Sequence, residues 1–294
     1  MLHHTLRIIF LFGICLSAKS AFSQEAGSIK NVEATGKLHQ IYITWGYNRA
    51  NYNRSDVHFK GEGYDFTLKD ARAEDIPEKF DASIYLNPTM FTIPQFNFRA
   101  GYYFRKNAAI SIGWDHMKYH LVPTQLVIID GYIDPAKYPF PGYSGEFHND
   151  LILYKSSFMN YHHSDGFNFI RVALEQRVPF WSSASGNHVL AMNASVSLGT
   201  MMPWTDFTFF GVSHRNKPHF AGYGASLHAG FRYEIAKYFF LQIAAQVGWS
   251  NLTDIMLEDE LPSRANQKIT FIERSWALGG YIPIGKSKAV TSEY

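Results

Sequence analysis

The residues most suggestive of chemistry lie in one short string, Tyr161-His162-His163-Ser164-Asp165-Gly166, with Glu175 following downstream. A serine hydroxyl becomes a nucleophile when a base sits within hydrogen-bond reach and an acid orients that base. Two residues apart on a strand, His162 and Ser164 share a face. His162 can therefore sit beside Ser164, and Glu175 lies eleven residues past the serine. Glu175 has the opposite strand parity to Ser164, so a bulge near Gly166 would have to correct the register. The competing reading is that this polar, glycine-containing string marks where a strand leaves a membrane.

Other candidate sites are sparser. Asp115 and His116 with His120 would suggest a metal ion, but neighbouring strand residues point to opposite faces, and no metal is expected. The acidic loop with Asp254, Glu258, Asp259 and Glu260 reads as solvated chain or as a weak divalent-cation site. Residues 132–143 (YIDPAKYPFPGY) are rich in Tyr and Pro. They suit contact with a glycan or a protein, or packing of the loop on its neighbours. No cofactor is implied.

The elements that must position these residues are strands. Eight segments alternate with period two. Ile41, Ile43, Trp45 and Tyr47 share one face; Phe96, Phe98, Ala100 and Tyr102 another; then Ile110, Ile112 and Trp114; and Ile170, Val172 and Leu174. The second half repeats the pattern over 190–198, 223–233, 239–249 and 272–282. The opposite faces carry Arg99, Asp115, Arg171, Glu175, Arg232 and Glu234. A dry sandwich core would not accept those ions without partners. A barrel of eight strands has an interior just wide enough for side chains, and these six residues are expected to form a hydrogen-bonded polar network there. Arg274 falls on an apolar face and requires a place at the rim, where it can snorkel.

Connection lengths alternate. Residues 105–107, 179–187 and 236–237 are short, whereas 49–92, 119–160, 201–218 and 250–268 are long. Short periplasmic turns and long outer loops have that asymmetry. Segments 55–60, 64–70 and 124–130 alternate briefly and read as hairpins above the membrane, which leaves ten or twelve strands open.

The ends and the composition agree. Residues 1–23 read as an export signal, with Arg7 before the apolar run Ile8 to Leu16 and small residues at Ala21 and Ser23. Ile14 before Cys15 does not suit a lipidation site. Without the signal, which holds Arg7 and Lys19, the chain has no cysteine and 25 residues of each charge sign. It therefore lacks a field for collecting nucleic acid and cannot form disulfides or thiol-based sites. No later stretch is apolar enough to cross a bilayer as a helix. The divisions expected are a signal over 1–23, a periplasmic segment over 24–37, a barrel over 38–285 and a polar tail over 286–294.

Across the mature chain this pattern resembles small Gram-negative outer-membrane β-barrels. The class implies an all-β, antiparallel transmembrane β-barrel in the outer membrane, reached by export, with lipid and lipopolysaccharide around it. Locally, His162-x-Ser164 with Glu175 resembles the His-x-Ser motif of the outer-membrane lipid A 3-O-deacylases, which are eight-stranded, and the resemblance implies Ser164 as nucleophile, His162 as base and Glu175 as orienting acid. Asp165 stands where that motif usually has asparagine. Three functions follow: a non-enzymatic barrel whose outer loops bind a glycan or protein or stabilise the envelope, a lipid A acyl-ester hydrolase, or a narrow channel, which needs at least ten strands.

Overall fold

The computed structural model describes residues 36–79, 81–85, 90, 94–258 and 262–284. The export signal, most of the 24–37 segment and the polar tail lie outside these residues. In chain order the strands are β1 (Gln40–Tyr52), β2 (Ser55–Gly61), β3 (Tyr64–Ala71), β4 (Ala73–Glu74), β5 (Phe96–Tyr103), β6 (Ala108–Leu121), β7 (Gln125–Ile133) and β8 (Gly145–Tyr154). They continue as β9 (Met159–Ser182), β10 (His188–Pro203), β11 (Asp206–Phe209), β12 (Val212–Arg215), β13 (Gly222–Ile235), β14 (Phe239–Met256) and β15 (Arg264–Pro283).

Eight of them close a ring in the order β1-β5-β6-β9-β10-β13-β14-β15, and β15 pairs back onto β1 from Gln40 opposite Pro283 to Tyr52 opposite Phe271. Every ladder in the ring is antiparallel. All eight expected segments are ring strands. The brief alternations at 55–60, 64–70 and 124–130 become β2, β3 and β7. With β8 these form a sheet continuing from the upper end of β15 in the order β15-β2-β3-β7-β8.

The wall carries an apolar exterior that water would not tolerate on this scale. Ile112 (59% exposed), Leu198 (69%) and Ile243 (62%) face outward with many similar neighbours. Tyr223 and Tyr233 stand ten positions apart on one face of β13, and Phe239 and Trp249 do the same on β14. That is about 33 Å of strand, or roughly 25 Å after a 40° tilt, the height of an outer-membrane apolar band between its aromatic girdles. Arg49 and Arg274 are paired in register on the outer face of β1 and β15, with Arg274 two residues below the lipid-facing Ile272. Arg49 binds Asp75 at 2.7 Å and Arg274 binds Asn51 at 2.7 Å, so the Arg274 guanidinium reaches upward from within the apolar face rather than standing at the expected rim position.

Above the band the alternation inverts. On β9, Ile170, Val172 and Leu174 face out while Arg171, Ala173 and Glu175 face in. One residue earlier, Phe169 faces in, followed upward by Phe167, His163, Tyr161 and Met159. The adjacent apolar pair Phe169-Ile170 marks the crossing from lipid to water. Tyr119 and Leu121 on β6 and Ile269 and Phe271 on β15 turn inward in the same way. There they join Phe59, Phe66, Leu68 and Ile129 of the extra sheet in one buried apolar core.

Because the strands run on beyond the membrane, the expected long loops are largely β-structure, and β9 begins at Met159, well before the expected Ile170. The expected 179–187 turn shrinks to 183–187. β9 carries Pro179 inside the strand, beside a register shift opposite Leu190 and Ala191. An irregular position spares the ladder the missing N–H of proline.

Candidate functional site: the filled interior and its rim

The lower interior holds two layers of ions. In the layer nearest the short turns, Glu234 accepts hydrogen bonds from Arg177 Nε (2.6 Å) and Nη2 (2.9 Å) and from Tyr281 Oη (2.8 Å). Lys37, just before β1, reaches in to place Nζ 3.1 Å from the same carboxylate and 4.1 Å from the Tyr281 ring centroid. Arg232 sits beside them and, among the described residues, has no carboxylate within ion-pair distance. Its guanidinium donates to Gln242 Oε1 (2.9 and 2.7 Å), Tyr103 Oη (3.1 Å) and Tyr281 Oη (2.9 Å), and lies 4.0 Å from the Phe240 ring centroid. A cation so held is satisfied by hydrogen bonds and by π-faces.

The next layer centres on a two-point pair, Arg171 Nε to Asp115 Oδ2 at 2.7 Å and Nη2 to Oδ1 at 3.2 Å, both residues fully buried. Gln246 Nε2 bridges Asp115 (3.1 Å) and Glu273 (2.9 Å). Glu175 accepts from Tyr42 Oη and Ser111 Oγ, each at 2.5 Å, and has Arg99 at 4.0 Å. Gly113 pairs with Arg99 on one side and Arg171 on the other. A Cβ there would come within 3.3 Å of the Arg171 guanidinium carbon, so the missing side chain makes room for it.

All six residues expected to line the interior are buried in it, although Arg99 and Glu175 make only a loose pair. Sequence reasoning missed Arg177, Glu273 and Lys37 as members. Arg177 and Glu273 carry the lumen parity and were legible in that way. Lys37 precedes the first strand, where parity gives no signal.

Above these layers the interior is apolar. Phe167, Phe169, Phe271, Tyr119 and Tyr161 fill the upper mouth, and Phe66, Phe158, Phe207 and Phe209 stack over them. Tyr138, Phe140 and Tyr143 of the 132–143 loop pack onto Phe158 and Phe210. Tyr138 and Tyr143 therefore serve the core, while Phe140 packs on it and stays partly exposed. At its edge, burial pushes the phenol of Tyr64 well above its ordinary range.

The structure does not assemble the proposed hydrolase residues. Ser164 and His162 are outward on upper β9, whereas Glu175 points into the lumen about 35 Å of strand away. The register is disturbed at Gly166 (φ +141°), as the hydrolase reading required. However, His163 pairs with Tyr119 and Phe167 with Met117, so β9 gains an even number of residues and parity is unchanged. Asp206 of β11 meets the pair instead. Ser164 Oγ lies 3.1 Å from His162 Nδ1 and donates to Asp206 Oδ2 at 3.2 Å, and the same Nδ1 is 3.6 Å from that oxygen. A relay needs serine on one ring nitrogen and the acid on the other. Here both crowd a single nitrogen, and the cluster fastens β11 to β9.

The metal candidates separate in the same way. Asp115 is in the lumen, while His116 is outside, stacked on Phe96 and within 2.7 Å of Asn168 Oδ1. Among the described residues no group of three His, Cys, Asp or Glu is placed to hold a metal ion. In the acidic loop, Asp254 pairs with Arg264 at 2.9 Å and Glu258 lies 3.9 Å from His214. Asp259 and Glu260 lie outside the described residues.

No protein-family model matches the chain, and no curated protein matches it. Solved structures do. The attachment invasion locus protein Ail of Yersinia pestis is 11% identical, with 83% of this chain and 99% of that one covered and a TM-score of 0.31. The outer membrane protein AlkL is 10% identical over 91% and 97%, with a TM-score of 0.38. OprG from Pseudomonas aeruginosa is 9% identical over 85% and 99%, also with a TM-score of 0.38. These solved structures are small Gram-negative outer-membrane β-barrel proteins.

Proposed function

We propose that this chain is a non-enzymatic outer-membrane barrel whose interior is closed and whose working surface is the folded sheet above the membrane. The observation that carries the reading is the stacking of two kinds of filling in one lumen. Ion pairs occupy the level of the lipid band, and an apolar core lies directly above them. A conducting path would have to cross both. Eight strands leave no spare width for one, and an ion entering the apolar level would lose its hydration without replacement. The upper sheet is also unlike a set of mobile loops. β2, β3, β7 and β8 are laddered to one another and to the barrel wall, and share one core with it. Such a platform suits contact with a glycan, a protein or neighbouring envelope components, because little ordering entropy is lost on binding.

The test is conductance. The refolded protein in a planar lipid bilayer is expected to give no unitary current steps at neutral pH in molar salt. Reproducible steps with ohmic conductance would overturn the closed interior.

A further inference from the structure

The outer face of the wall changes character where β1 leaves β15 and β2 takes its place. β1 pairs with β15 as far as Tyr52 opposite Phe271, and β2 begins its pairing at Val57 opposite Gln267. The hand-over leaves an open groove of about 340 Å³, lined by Asp56, His58, Thr67, Asn251, Asn266 and Lys268. That volume lies at the low end of small-molecule sites.

Register explains why these side chains converge. Tyr223, Asn251 and Lys268 are direct neighbours across β13, β14 and β15. Asn266, His58 and Thr67 form the next row across β15, β2 and β3. Immediately below, Trp249 lies opposite Thr270. Its ring packs edge-on to Tyr223 at 6.0 Å, and both rings stay exposed (40% and 51%). Below them Val247 pairs with Ile272 in the lipid-facing band. The groove is therefore continuous with the surface that lipid covers, one step above the aromatic girdle.

Its chemistry is that of a hydroxyl-rich ring carrying an acidic group. Asn251 Nδ2 already donates to Tyr223 Oη at 3.1 Å and Asn266 Nδ2 lies 3.0 Å from His58 Nδ1, so these two residues offer chiefly their amide oxygens, and Thr67 offers a hydroxyl. Asp56 offers a carboxylate, one oxygen of which already accepts the Asp70 amide N–H at 2.8 Å. Trp249 and Tyr223 present apolar faces against which the C–H side of a sugar packs. Lys268 supplies the positive charge. Nearby cations are occupied: Lys60 by Asp65 (2.9 Å), Lys69 by Asp130 (2.9 Å), Arg54 by Asp70 (3.1 Å) and Arg264 by Asp254 (2.9 Å). Lys268, among the described residues, has no carboxylate within ion-pair distance.

We infer that this groove binds the sugar headgroup of a membrane glycolipid, with Lys268 holding an acidic substituent such as a phosphate on that sugar. The inference rests on the reading above for placing this end of the barrel in the outer leaflet, and it specifies what the working surface meets there.

The test uses the refolded full-length barrel in zwitterionic micelles, with bound lipid counted by native mass spectrometry. The probe is lipopolysaccharide truncated to lipid A and its inner sugars. Inorganic phosphate and phosphatidylglycerol serve as competitors that carry the charge without the ring. Saturable binding is expected at one molecule per groove, weakened at least tenfold by Lys268→Ala with Asn266→Ala and unchanged by Lys60→Ala. Neither competitor is expected to displace the probe at matched concentration. All three variants alter outward-facing side chains, and heat-modifiable gel mobility checks that each folds; Lys268→Gln alone is the fallback and is expected to weaken binding severalfold. Unchanged affinity in the Lys268 variants would overturn the site. Equal displacement by phosphate or phosphatidylglycerol would overturn the sugar. Conductance is blind to this outer groove, so a failure here and an open lumen would be told apart.

Discussion

Replacing Arg171 by alanine is expected to remove about 3–5 kcal/mol from barrel stability, the usual result of leaving a buried charge without its partner. Asp115 would lose both guanidinium hydrogen bonds and keep only the amide of Gln246, which also serves Glu273, with Arg99 as the remaining nearby charge. The cost arises from the abandoned anion, since the net value of the pair itself is small once desolvation is counted. Replacing both partners, with Arg171→Met and Asp115→Leu together, should therefore recover most of the loss. Urea unfolding in micelles, followed by heat-modifiable mobility, measures both variants. A single variant within 1 kcal/mol of wild type would show that water or a neighbour compensates Asp115.

The second large effect is expected above the membrane. Phe66 is buried, with ring centroids of Phe59 at 5.3 Å, Tyr64 and Phe209 at 6.0 Å and Phe158 at 6.2 Å. Phe66→Ala removes the ring that joins β3 to the β9–β11 side of the core, and large-to-small changes of this kind cost about 3–5 kcal/mol. The loss should fall on the upper sheet, because the barrel ladders below do not involve Phe66. Limited proteolysis should then cut within β2–β3 or β7–β8 while the heat-modifiable shift of the barrel persists. Loss of both together would mean that the sheet and the barrel fold as one unit.

How much of this was legible in the sequence depended on which side of the membrane surface a residue lies. Within the lipid band the rule is apolar outside and polar inside. Ile110, Ile112 and Trp114 opposite Ser111, Gly113 and Asp115 announced β6 without ambiguity. Above the band the same strands reverse the rule, so Tyr119 and Leu121 point inward and their continuation read as loop. β9 lost its first eleven residues in this way. Short segments such as 64–70 kept their alternation but offered no cue to their partner, because pairing with β7 is a long-range choice. The Ser164 cluster failed for a related reason. His162 and Ser164 do share a face, but the acid that joins them comes from β11, 42 residues from Ser164 in the chain, where spacing carries no information. Parity had already put Glu175 on the wrong side, and an irregularity of even length left it there.

The central claim is a closed interior beneath an exposed, folded sheet, and site-directed labelling tests it most directly. Cys15 is the chain's only cysteine, so a Cys15→Ser background allows single cysteines at Lys60 on the upper sheet, Ser197 in the lumen and Phe169 in the apolar core, the last two being buried. With a membrane-impermeant maleimide on intact cells and on detergent-solubilised folded protein, the cysteine at 60 should react in both. Those at 197 and 169 should react only after heat unfolding. Labelling at 197 in the folded protein, from either side, would contradict the account.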